Sequence, residues 1–335
     1  MAGALRGWDG MDAPMVWFNK YLSNTWEVLA LLKEARASGD IRVLCTHPRD
    51  GYPGRHHADA FECEPDGLGE EAYVAYCLDV ARRHGVRLFL PGRKVLPVVR
   101  AAGRFAALGT TVLAAGDAAT LALVNDKGKA YAALTKGEAL VPDHAVVRDV
   151  AGFDDAWDRL HARHDRLCYK PAVSIFGLGF RIIAEGGPTG DPVHIGREGA
   201  RRDVEARRRS VLLMQYLPGP ERSVDCLARD GELVRCVVRR KEEGGQVIED
   251  NPEITAAVRR LTARLRLTNL FNVQFRDADG RSYLLEINPR MSGGLPFACR
   301  SGVVLPYWAL RLALGTATPD DVPHPRTGLW VPQPG

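Results

Sequence analysis

The chain has no cysteine framework. Its seven cysteines, Cys45, Cys63, Cys77, Cys168, Cys226, Cys236 and Cys299, form no C-x-x-C pair and follow no regular spacing. That excludes a disulfide scaffold, and an odd set of thiols, several of them inside apolar runs, points to a reducing cytoplasm. Also missing are a basic N-terminal start leading into an apolar stretch and any run of about eighteen apolar residues, so neither secretion nor a membrane span is expected. No sign of charge dominates: Lys plus Arg 45 against Asp plus Glu 41 leaves +4. This is too little to suggest a nucleic-acid or membrane partner, yet compatible with small anionic substrates. The nine histidines are scattered without zinc spacing. The turn FNKYLSN, which follows the first strand, lacks the glycine fingerprint of a dinucleotide site.

What is present is an ordinary globular composition, 46% hydrophobic and 26% charged over 335 residues, long enough for two or three packed domains. The first third alternates strand and helix. Val16 to Phe18 is a short apolar strand; Asn24 with Glu27 is a capping signal; Val28, Leu29, Leu31, Leu32 and Ala35 give a helical face closed by Gly39. Ile41 to Cys45 is the next strand, Glu70 to His84 the next helix, and Val86 to Leu90 a further strand, which makes a parallel β/α unit. A substrate could bind at the carboxyl ends of these strands, near Asn19, His47 or Arg49, although loop and capping roles compete for each. From about Leu121 the pattern becomes β-rich, with strands at 145–148, 167–170, 180–183, 211–214, 224–228 and 233–238 and helices at 154–163 and 254–265. Arg201, Arg202 and Arg207 to Arg209, interleaved with Asp203 and Glu205, read as a solvated helix. Residues 319–335 are proline-rich and read as a tail, ordered by contact or frayed.

The segment FNVQFRDADGRSYLLEINPRMSGG, Phe271 to Gly294, carries the most chemistry. Residues alternate before Asp277 and again after Arg281, which makes two strands. A three-residue loop, Ala278 to Gly280, with Gly280 in the left-handed region, makes Asp277 and Arg281 the closing pair. That register sets Gln274, Glu286 and Asn288 on one face, three hard oxygen donors of the kind magnesium takes beside water and phosphate. An exposed polar strand face is the competing reading. Upstream, Lys170 ends a strand before the loop Ala172 to Gly179, where a lysine and loop amides can hold phosphates. The apolar strand Leu212 to Gln215 stops at Tyr216-Leu217-Pro218, exposing backbone groups that could read an adenine edge, with Glu221 and Asp225 beyond it for ribose hydroxyls.

The order of these parts resembles the ATP-grasp superfamily. An Asp126-Lys127 pair, Lys170 before a glycine loop, the strand end at Gln215, the basic Arg239-Arg240-Lys241 strand end and Gln274 followed by Glu286-x-Asn288-x-Arg290 are similar to the cores of carbamoyl phosphate synthetase and biotin carboxylase, over roughly 126–315. The resemblance implies an α/β chain: a Rossmann-like parallel β/α domain (1–120), a two-lobed α+β ATP-grasp domain (121–315, lobes about 121–214 and 215–315) and a tail (316–335). It implies ATP with Mg2+, two ions or Mn2+ in their place. Lys127 and Lys170, with Ser174, Gly177 and Gly179 of the loop, would contact the phosphates. Gln215, Tyr216 and Leu217 would hold adenine, and Glu221, or second Asp225, the ribose. Gln274, Glu286 and Asn288 would bind metal, and Arg290 with Arg239 or Arg240 would stabilise the transferring phosphoryl group. Ile175 and Phe176 are bulkier than the family loop usually carries. The implied activity is an ATP-dependent carboxylate–amine ligase acting on an amino acid or peptide-like acid. A carbamate- or bicarbonate-phosphorylating enzyme and a non-catalytic nucleotide-binding regulator are the alternatives. Small-molecule acid and amine partners, no nucleic acid or membrane, and a homodimer complete the expectation.

Overall fold

The computed structural model describes residues 13–21, 25–37, 39–134, 137–173, 178–184, 191, 193–206 and 210–333. Ser174, Gly177 and the Asn24 cap, which the sequence singles out, lie outside them.

Four apolar residues, Met15–Phe18, form β1, and all four are buried because the strand runs through the middle of a sheet. Its neighbours are β2 (Arg42–His47), β3 (Ala60–Cys63), β4 (Val86–Leu90) and β5 (Thr111–Val112), in the order β3-β2-β1-β4-β5 and parallel throughout. Alternation along β1 divides its side chains between two cores, as a sheet covered on both faces requires. Val16 and Phe18 share one core with Val28, Leu29 and Leu32 of the helix Thr25–Ala35. Met15 and Trp17 share the other with Tyr73, Val74 and Cys77 of the helix Glu70–Arg83. There Trp17 stacks on Phe89 at 3.9 Å between ring centroids.

A second sheet follows: β6 (His144–Val147), β7 (Leu167–Pro171), β8 (Arg181–Ala184), β9 (His194–Gly196) and β10 (Val211–Gln215), in the order β6-β10-β7-β8-β9. β10 is antiparallel to both β6 and β7. Val211 and Leu213 of β10, with Leu167 and Tyr169 of β7, face a core filled by Phe153, Trp157 and Leu160 of the helix Val150–His161. Lys170 lies opposite Leu212, so the period of two turns its side chain to the other face of the sheet, away from that core.

The last sheet comprises β11 (Glu221–Arg229), β12 (Glu232–Glu242), β13 (Gly245–Glu249), β14 (Asn269–Ala278), β15 (Arg281–Asn288) and β16 (Leu329–Pro332), in the order β15-β14-β11-β12-β13-β16. The proline-rich tail thus ends as an edge strand antiparallel to β13. The chain divides into two compact units: 1–122 with 223–272 and 288–335, and 123–222 with 273–287.

Candidate active site

The hairpin that carries the candidate metal ligands differs from the sequence expectation in its turn. β14 ends at Ala278 and β15 begins at Arg281, so the loop has two residues, not three. Asp279 and Gly280 take φ of 53° and 71°, both positive, as in the Asp-Gly turns whose twist matches that of paired strands. The Ser282 hydroxyl donates to Asp277 at 2.7 Å, which fits Ala278 and Arg281 as the closing pair. With that register unbroken, Gln274 would oppose Leu285 and share no face with Glu286.

β15 does not run unbroken. The Tyr131 hydroxyl lies 2.9 Å from the carbonyl oxygen of Leu284 and 2.7 Å from that of Leu285. Successive carbonyls of a regular strand point in opposite directions, so one hydroxyl reaching both marks a bulge. Burial agrees: the buried residues Leu284 and Ile287 are three apart, where strict alternation gives two or four. An extra residue at Leu284–Leu285 would restore the offset that the sequence reading assigned to the loop and return Glu286 to the side of Gln274.

Lysines meet Glu286 at this bulge. Lys127 opens the helix Lys127–Ala133, whose N-cap Asp126 accepts from the Lys129 amide. The Lys127 amide donates to the Ala172 carbonyl at 3.0 Å, and its Nζ lies 3.2 Å from Glu286 Oε2. Gly128 permits the approach, because a Cβ there would stand 2.8 Å from Val146 Cγ2. Lys170 donates to the Leu285 carbonyl at 3.0 Å. Burial lowers the Lys170 pKa to about 8, against the pull of Glu286 and with the repulsion of Lys127. Two buried ammonium groups near one carboxylate leave an excess of positive charge that suits a polyanion.

At the end of β10, Gln215 is buried and Oε1 accepts from the Asp143 amide at 3.0 Å. The Gln215 and Tyr216 amides donate to the Asp143 and Arg166 carbonyls. The Tyr216 ring carries Arg166 at 4.4 Å and Arg276 at 5.9 Å over its centroid, and Leu217 is buried. Gly219 is held against β14: its amide donates to the Asp277 carbonyl at 2.8 Å, and Arg276 donates to the Gly219 carbonyl at 2.9 Å. Glu221 is half-buried at the start of β11. Gly179 sits at φ 80°. Tyr131, Arg166 and Arg276 carry no sequence signal that would have marked them, since their roles arise from strand pairing.

In the other unit, Arg239 and Asp225 are each about 2% exposed and pair with each other, Nε to Oδ2 at 2.7 Å. Arg239 also donates to Ser223 and Ser292 at 3.1 Å each and to Gln246. Ser292 donates to Asp225 at 2.6 Å, and Asn272 donates to it at 3.0 Å. The guanidinium fills the place a side chain would need at Gly294, where a Cβ would be 2.4 Å from Nη1. Arg240, one residue on, faces the other way and pairs with Glu249 and Glu242. Asn288 follows Glu286 by two residues in β15, and the Arg290 amide turns back to its carbonyl at 2.7 Å.

Residues 207–333 match the family model described as "ATP-grasp in the biosynthetic pathway with Ter operon". The carbamoyl phosphate synthase large chain of Thermomicrobium roseum is 33% identical over 145 residues, covering 38% of this chain and 13% of that protein. This chain therefore spans a small part of the curated relatives it matches. Among solved structures, the biotin carboxylase domain of the Hydrogenobacter thermophilus 2-oxoglutarate carboxylase gives a TM-score of 0.69 at 16% identity, over 92% of this chain and 72% of that one. An L-amino acid ligase from Bacillus licheniformis gives 0.66 at 15% identity, over 92% and 77%. The fold is that of the ATP-grasp enzymes. Residues 207–333 are similar to the ATP-grasp branch associated with the Ter operon.

Proposed function

We propose that the protein is an ATP-dependent carboxylate–amine ligase that activates a small acid, an amino acid or peptide-like acid, as an acyl phosphate. The observation that carries this reading is the meeting of Lys127, Lys170 and Glu286 at the bulged strand β15. It is supported by the likeness to an L-amino acid ligase and to a biotin carboxylase domain described in complex with MgADP and bicarbonate.

The donor set fits magnesium: Gln274, Glu286 and Asn288 offer hard oxygens and no thiolate or imidazole. Bound there, the metal would neutralise phosphate oxygens during transfer. The chain's own residues do the rest. Lys127 and Lys170 grip the phosphates, Gln215 to Leu217 hold adenine, and Glu221 takes the ribose. With the nucleotide so held, an oxygen of the acid attacks the γ-phosphorus; that O–P bond forms as the bond to the departing ADP oxygen breaks. Arg290 stabilises the charge on the phosphoryl group in flight. An amine then attacks the acyl carbon, phosphate leaves, and the ammonium proton is lost to solvent. A homodimer is part of the reading, since one similar structure is described as a domain dimer. A cytoplasmic setting is likewise part of it; among the described residues no helix is long and apolar enough to cross a membrane.

A second reading, phosphorylation of bicarbonate or carbamate, is favoured by the carbamoyl phosphate synthase similarity. A phosphate-release screen of carboxylic acids, each with and without amines, separates them. Acid-dependent ADP formation that requires an amine supports the ligase. Dependence on bicarbonate alone supports the second reading, and nucleotide binding without turnover defeats both.

A further inference from the structure

The first loop of the chain reaches the residue that the ligase reading places at the phosphoryl group. Tyr21 lies three residues after β1, and its hydroxyl donates to the Met291 carbonyl in a short hydrogen bond. The same carbonyl accepts from Arg290 Nη1 at 3.2 Å, which brings the guanidinium beside the Tyr21 hydroxyl. Tyrosine oxygen, main-chain oxygen and guanidinium thus form one group. Burial raises the Tyr21 pKa far above its ordinary value, against the opposing pull of Arg290, so the phenol stays protonated and keeps its donor.

The ring is fixed as firmly as the hydroxyl. It lies on Gly92, where a Cβ would fall 2.2 to 2.6 Å from ring and Cβ atoms of Tyr21. The Gly92 amide donates to Asn19 Oδ1 at 2.6 Å, and Asn19 Nδ2 donates to the buried Tyr73 hydroxyl at 2.7 Å. Asn19 therefore acts as a brace between the ends of β1 and β4 rather than as a ligand. A small cavity of about 30 Å³ lies beside Tyr21 and Arg290, bounded by Leu90, Val95 and Leu270.

We propose that Tyr21 is a positioning residue that sets the orientation of Arg290, with Asn19 and Gly92 holding Tyr21 in turn. The ligand that reads this out is a phosphoryl anion. The proposal rests on the ligase reading, because that reading gives Arg290 its phosphate. It does not involve the nucleotide residues, which belong to the other unit.

Tyr21→Phe keeps the ring over Gly92 and removes the hydroxyl. The measurements are calorimetric titration of the full chain with MgADP, then of the MgADP-loaded protein with inorganic phosphate, beside a thermal melt. MgADP affinity is expected to stay within about twofold of wild type, and phosphate affinity to fall about tenfold, the size of a lost hydrogen bond to a charged group. In an Arg290→Ala background the same substitution is expected to add nothing, because the two act as one unit. Gly92→Ala, which displaces the ring from the side, is expected to give the same phosphate defect. Wild-type phosphate binding in Tyr21→Phe overturns the proposal and leaves the ligase reading standing, as does an equal fall in the Arg290→Ala background. Loaded wild-type protein that takes up no phosphate also overturns it. Wild-type protein that fails to bind MgADP sinks the ligase reading and this proposal together.

Discussion

Replacing Asp225 by asparagine tests whether the buried pair with Arg239 is a structural joint or part of a nucleotide site. Both side chains are about 2% exposed, and Asp225 receives three donors: Ser292 and Asn272 reach Oδ1 while Arg239 Nε reaches Oδ2. Asparagine has nearly the same shape, so packing is kept while the guanidinium loses its counter-charge. Removing one partner of a buried, hydrogen-bonded ion pair costs about 3–5 kcal/mol, mainly because the remaining charge is stranded without water. At about 2–4 °C per kcal/mol for larger domains, the thermal midpoint should fall by roughly 6–20 °C. The assay is a calorimetric or circular-dichroism melt with and without MgADP. The double variant Asp225→Leu/Arg239→Met removes both charges and is expected to recover most of the loss, since well-packed apolar substitutes often match a buried pair. A fall of less than about 2 °C in Asp225→Asn, together with weaker MgADP binding, would refute this reasoning. It would return Asp225 to the ribose role that the sequence alone allows it.

Four further outcomes are expected. Glu286→Ala should abolish ADP formation and metal binding while the melt stays cooperative; unchanged product formation in that variant removes Glu286 from the metal site. Gly219→Ala places a methyl 2.6 Å from the Asp277 carbonyl oxygen, which should cost about 1–3 kcal/mol of stability and weaken MgADP by detaching the strand end from β14; a neutral melt contradicts the tight packing. Tyr131→Phe removes the hydroxyl that spans the Leu284 and Leu285 carbonyls and should weaken Mn2+ binding by loosening the bulge, measured by water-proton relaxation. Glu62 is held below the usual carboxylate range, first by its hydrogen bond to Arg83 and then also by His84. Its contribution is therefore present above the ordinary glutamate value and lost as pH falls through the lowered one. Partly exposed, it should be worth no more than about 1 kcal/mol, so Glu62→Gln should flatten the acid limb of the stability curve slightly, and an equal change at pH 7 and pH 3 would contradict the assignment.

Periodicity made the core elements readable. Val16 to Phe18, the helices Thr25–Ala35 and Glu70–Arg83, and most later strands lie near the places their apolar spacing indicates, because burial on one or two faces dictates those patterns. β3 and β5 escaped: Ala60–Cys63 is nowhere fully buried and Thr111–Val112 is two residues long, so neither imposes a pattern. The turn was misjudged for a related reason. A shared face for Gln274 and Glu286 demands an odd offset, and the sequence does not say whether the odd residue lies in the loop or in the strand. The contacts of Tyr131 and Lys170 with the Leu284 and Leu285 carbonyls point to the strand, and those partners are more than a hundred residues away along the chain. Arg239 and Arg240 were indistinguishable as text, yet strand alternation sends one inward to Asp225 and the other to Glu249. Tyr21 carried no spacing signal at all.

The bulge in β15 has a bearing on how such chains change over time. Which side chains face the lysines is determined there by counting residues, so losing or gaining one between Arg281 and Glu286 would turn the carboxylate away while every chemically important letter remained. A relative with a single gap across this strand would therefore be inert although it keeps the motif letters, and one with a second, compensating indel would be competent. Judging activity in this family from motif letters alone confuses possession of the residues with their presentation.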